Sequence, residues 1–84
     1  MLELEKRSPL AFPIALKDGR TLDTVGDAAD YLSRLSIDQR ERFYWKNAIM
    51  MFNNAMREPN YLKIATMNLR SALVYDRLID DAGA

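Results

Sequence analysis

From Ser36 to Met56 the bulky apolar residues recur at helical spacing, and one long helix is predicted there. It opens with Ser36-Ile37-Asp38-Gln39, a capping box in which Ser36 and Gln39 each satisfy the other's backbone N–H. The main apolar face comprises Ile37, Tyr44, Trp45, Ala48, Ile49, Met51, Phe52, Ala55 and Met56. At 100° per residue these span roughly 160° of the helix. Gln39, Arg42, Lys46, Asn53 and Arg57 occupy the opposite side. That polar side is interrupted by a stripe at i, i+4, i+7, i+11, namely Phe43, Asn47, Met50 and Asn54. The helix must stop by Glu58, because Pro59 disfavours αR at the residue before it.

Upstream, Phe12, Ile14 and Leu16 alternate with period two, so a half-buried strand is predicted. Asp18-Gly19 marks a turn, and Thr21–Val25 reads as the return strand. A two-residue turn would pair Ile14 with Asp23 and put a carboxylate on the apolar face. A three-residue Lys17-Asp18-Gly19 loop, with Gly19 in αL, pairs Ile14 with Leu22 and is preferred. Pro13 has no N–H to donate, which makes its strand an edge. Thr24 and Asp27 cap a short helix whose stripe is Val25, Ala28, Ala29, Leu32 and Leu35. Residues 1–9 read as a charged, flexible leader, with Leu2 and Leu4 adding an edge strand as the alternative.

After Pro59, Asn60 is expected to cap a last helix from Tyr61 to about Asp81, ended by Gly83. It carries two opposed apolar stripes. One is Leu62, Ala65, Leu69, Ala72 and Leu73; the other is Ile64, Met67, Val74 and Leu78, with Ser71 in line. A helix apolar on most sides lies central in a core or also in an oligomer interface. The pattern predicts an α+β fold, an N-terminal hairpin on three helices, one short and two long and antiparallel. A single domain over residues 10–84 follows.

Composition narrows the chemistry. The 84 residues hold 12 basic and 12 acidic side chains, so the net charge is zero, which argues against a polyanion as main partner. There is no Cys and no His. Disulfides and thiolate metal sites are excluded, as are the commonest metal ligand and general base. A reducing cytoplasm is compatible with this. No apolar run approaches the roughly 20 residues of a membrane span, and the first residues do not read as a signal peptide.

Each candidate site competes with a plainer reading. Glu41, near the apolar face, and Asp76, beside the Leu69/Leu73 stripe, could act as acid or base if desolvated, but pairing with a nearby Arg is the simpler role. Ser33, Ser36 and Ser71 lack an activating base other than Lys. Asp23, Asp27, Asp30, Asp80 and Asp81 match no calcium-loop spacing. Thr24 to Ile37 has the outline of a helix-turn-helix, but Arg34-Leu35 stands where the turn glycine belongs. Lys63, Arg70 and Arg77 form a seven-spaced basic stripe that could follow phosphates, or simply be the solvent strip. The favoured site is a self-association surface of Phe43, Asn47, Met50, Asn54, Val74 and Leu78, because it is apolar where a monomer's helix should be polar. No catalytic residue, cofactor or metal is assigned. The expected role is therefore a non-catalytic interaction or regulatory module acting as a homodimer. A nucleic-acid-binding regulator and a binder of an apolar small molecule between the two long helices are the alternatives.

The strand Pro13-Ile14-Ala15-Leu16, Asp18-Gly19 and the run Thr24-Val25-Gly26-Asp27-Ala28-Ala29-Asp30-Tyr31-Leu32, a "T-V-x-x-A-A-x-x-L" pattern, resemble domain-of-unknown-function family 982 of small, largely rhizobial proteins. The likeness runs from about Phe12 to Ile79. It lacks that family's Trp-Pro between the first two helices and the Ala-Arg pair opening the last. The resemblance implies an α+β fold and a bacterial cytoplasmic protein, and it supplies no activity and no site residues.

Overall fold

A computed structural model describes residues 5–79. The edge-strand alternative for Leu2 and Leu4, and Asp80, Asp81 and Gly83, lie outside the described residues. Two antiparallel strands come first, β1 (Pro9–Ala15) and β2 (Thr21–Thr24). Four helices follow: α1 (Val25–Ser33), α2 (Ile37–Glu41), α3 (Phe43–Arg57) and α4 (Leu62–Tyr75). The fold is α+β, a hairpin followed by helices.

The hairpin register follows from keeping carboxylates off the buried face. Ile14 pairs with Leu22, and both are buried together with Leu10 and Leu16. The Leu16 N–H bonds to Arg20 O, which leaves Lys17-Asp18-Gly19 as the loop, and Gly19 has φ 96°. Only glycine adopts that conformation without steric cost. The loop also ties to the other end of the chain, since Lys17 N–H donates to Leu78 O at 3.0 Å.

Both expected capping boxes form. Thr24 accepts from Asp27 N–H while the Asp27 carboxylate accepts from Thr24 N–H, and Ser36 and Gln39 do the same. Part of the expected leader is built into this junction. Val25 N–H donates to Ser8 O and Gly26 N–H to Lys6 O. Gly26 is needed there, because a Cβ would sit 2.9 Å from the Lys6 carbonyl oxygen.

The central element departs from the single helix expected from Ser36. It breaks at Arg42, whose φ −75° and ψ 139° are extended, so α2 and α3 are separate. The cause is Asp76. Its carboxylate accepts from Gln39 Nε2 (3.2 Å), Arg42 Nη1 (2.9 Å), the Tyr44 hydroxyl (2.6 Å) and Trp45 Nε1 (2.7 Å). On one continuous helix those four side chains would spread over roughly 220°, and no single carboxylate could collect them. The break also changes the phase of α2, which places Ile37, expected on the buried face, at 80% exposure.

The last helix is shorter than expected at both ends. Pro59–Tyr61 forms a 3₁₀ turn, and α4 begins at Leu62 with no side-chain cap, so Asn60 does not play that part. At the far end Leu78 N–H bonds to Leu73 O and Arg77 N–H to Val74 O, the two bonds of a Schellman motif. Arg77 occupies its left-handed position with φ 59°, where glycine is usual. The core lies between α3, α4 and the hairpin, around Trp45, Leu69 and Leu73, all fully buried. One polar group enters it. Thr66 donates to Leu62 O at 2.8 Å and accepts the Ala11 N–H of β1 at 3.3 Å, which satisfies both that N–H and the buried hydroxyl.

Candidate interaction surface

Helices α3 and α4 run antiparallel, because the Tyr75 ring at the end of α4 stacks on Tyr44 at the start of α3 (4.8 Å between centroids) and meets Phe43 edge-on at 6.1 Å. On α3, Phe43, Asn47, Met50 and Asn54 fall within an arc of roughly 60°. On α4, Ile64, Met67, Ser71 and Tyr75 fall within an arc of roughly 80°. The Phe43–Tyr75 contact sets the two stripes side by side on one outer face.

That face carries no ionisable group other than the tyrosine hydroxyl. It is also apolar out of proportion to its exposure: Phe43 is 65% exposed, Tyr75 62%, Met50 52%, Met67 51% and Ile64 48%. Asn47 is exposed and Asn54 half-buried between them. Exposed Lys46 and Arg57 flank the α3 side, and exposed Lys63 flanks the α4 side. A charge-free centre with aromatic and Met side chains inside a charged rim is the make-up of an interface core.

The sequence-predicted surface is thus partly relocated. Phe43, Asn47, Met50 and Asn54 do share an exposed stripe. Val74 and Leu78 do not join them, because both are half-buried and packed on the core. Leu78 lies past the end of α4, where the Schellman turn folds it back toward the hairpin loop. Their places are taken by Tyr75, Ile64 and Met67. Ile64 and Met67 belong to a stripe visible in the sequence, and Tyr75 continues it through Ser71 at i, i+3, i+7, i+11.

Asp76 locks this face in register by joining the α2–α3 break to the end of α4. Burial pushes its carboxyl up, but hydrogen bonds from Tyr44, Trp45 and Gln39 and the Arg42 charge outweigh that and hold it below the ordinary 3.8. The Tyr44 hydroxyl is raised, chiefly because it donates to this carboxylate. A carboxylate saturated by four donors is a weak proton acceptor at neutral pH. Glu41 is exposed, 3.9 Å from Lys46. Ser33 donates to Asp30 O and Ser36 serves its cap.

Lys63, Arg70 and Arg77 do not form one helical stripe. Arg77 lies beyond α4 in the left-handed turn, and only Lys63 and Arg70 remain on the helix. Asp27 is engaged by the Asp23 and Thr24 backbone N–H groups, which lower its pKa. Among the described residues no three His, Cys, Asp or Glu side chains gather as a metal site, and no helix is long and apolar enough to cross a membrane. Comparison with protein-family models, with curated proteins and with solved structures found no match.

Proposed function

We propose that the chain is a non-catalytic interaction module that works as a homodimer, two copies meeting through the α3–α4 face. The observation that carries this is the set of five large apolar side chains, each about half exposed or more, on an uncharged surface two helices wide. Helices of 15 and 14 residues are about 20 Å long and together about 20 Å wide, so the face measures on the order of 400 Å² in plan per copy. Two copies would bury roughly 800–1,000 Å² in all, the size of a weak, reversible interface rather than of a permanent one. Asn47 and Asn54 can pair with their own counterparts across a two-fold axis, so a self-complementary surface needs no second polypeptide. The absence of cysteine and the resemblance to family 982 support a cytoplasmic setting and membership of that family as parts of the same proposal.

Face-to-face packing of two copies brings the basic flanks of Lys46, Arg57 and Lys63 near one another. Association of this kind strengthens as salt rises, because like charges are screened. Sedimentation velocity across a protein and salt series tests it. The expected result is a monomer–dimer equilibrium in the micromolar range that tightens with salt and is abolished by Met50→Asp. A monomer at every concentration, or a dimer untouched by Met50→Asp, removes the proposal. Binding that instead needs an added acidic polypeptide and weakens with salt assigns the face to a different partner.

A further inference from the structure

We propose that the groove bounded by α1, α2 and α3 binds a medium-chain monocarboxylate, its head on Arg40 and its tail on the apolar floor. The cavity measures about 350 Å³, within the range of small-molecule sites. At roughly 30 Å³ per small heavy-atom group it holds about ten non-hydrogen atoms. Val25, Leu32 and Phe52 form a buried floor, and Ile49 and Met56 stand at the walls. Met56 is 37% exposed, which keeps the groove open to solvent.

Polar lining is confined to Arg40, Ser33 and Asn53, and Arg40 is the only charged residue of the lining. Among the described residues the Arg40 side chain makes one hydrogen bond, from Nη2 to the Ser33 carbonyl at 2.8 Å. That bond fixes the guanidinium at the C-terminal end of α1. A guanidinium has five N–H donors in a planar fork, so enough remain for a carboxylate. Arg40 forms no ion pair among the described residues, and no carboxylate lines the groove to neutralise it. The ligand therefore needs one negative charge and an apolar tail. A phosphate dianion fits less well, since one arginine is its sole cation and the neighbouring end of α1 carries the negative pole of the helix dipole.

The groove shares no residue with the α3–α4 face, so it stands or falls independently of the dimer. The test is an NMR titration of the full chain with octanoate, octanol and inorganic phosphate. Octanoate should saturate with a dissociation constant on the order of 0.1–1 mM and shift Leu32, Ile49, Phe52 and Met56. Arg40→Met should weaken octanoate roughly ten- to a hundredfold while leaving octanol unchanged. Ala29→Phe, placed at the exposed lip, should block both. Three results overturn the proposal: no saturation by octanoate up to several millimolar, equal octanoate affinity in Arg40→Met, or octanol or phosphate binding as tightly as octanoate in the wild type.

Discussion

Replacing Asp76 by Ala removes one acceptor from four donors at once, and the cost can be worked donor by donor. Trp45 is fully buried and its Nε1–H reaches only Asp76, so stranding it costs about 1–3 kcal/mol. Losing the 2.6 Å Tyr44 bond costs about 0.5–1.5 kcal/mol. Arg42 and Gln39 reach solvent and regain partners there; the Arg42 side chain is 49% exposed, so its pair contributes about 0–1 kcal/mol. Together these give about 3 kcal/mol, which for a domain of this size lowers Tm by about 12–24 °C. The chain has a single Trp, the one that loses its partner, so thermal unfolding followed by its fluorescence reports the site directly. Asp76→Asn keeps an acceptor oxygen and should fall between the two. A Tm within about 4 °C of wild type in Asp76→Ala would refute the idea that this carboxylate holds the α2–α3 break to α4.

The same carboxylate sets an acid limb. Its folded pKa lies below 3.8, so the stability it adds is complete above the ordinary carboxylate range and is lost as pH falls through the depressed value; acid unfolding curves should show a shallower limb in Asp76→Asn. Arg77→Gly relieves a left-handed arginine at a cost in unfolded-chain entropy, and calorimetry should find a net gain of about 0.5–1 kcal/mol. Thr66→Val keeps the shape but removes the acceptor of the Ala11 N–H, so denaturant titration should show a loss of about 0.5–1.5 kcal/mol, largely restored in Thr66→Ser.

Local chemistry was legible where a residue's role depends on near neighbours. Ser36-Gln39 and Thr24-Asp27 cap within one turn, and Gly19 sets a register that only the Ile14–Leu22 pairing keeps apolar. The break at Arg42 was not legible, because its cause sits 34 residues downstream on another helix. The end of α4 was misjudged for two reasons. An acidic C-cap runs against the helix dipole, and an arginine fills the turn position that glycine usually announces. The first is offset by the Asp76 donors, which come from a different part of the chain. Half of the candidate face was visible as the Phe43–Asn54 stripe. The other half depended in part on where α4 stopped, since Leu78 turns inward only because the helix ends at Tyr75.

Isotope-filtered NOE spectroscopy on an equimolar mixture of labelled and unlabelled chains asks most directly whether the α3–α4 face meets its own copy. Cross-peaks from the Met50, Met67 and Ile64 methyls of one copy to the Phe43 and Tyr75 rings of another are the predicted result. Intermolecular peaks confined to another surface, such as the outer edge of β1, or no such peaks at concentrations well above micromolar, would contradict it.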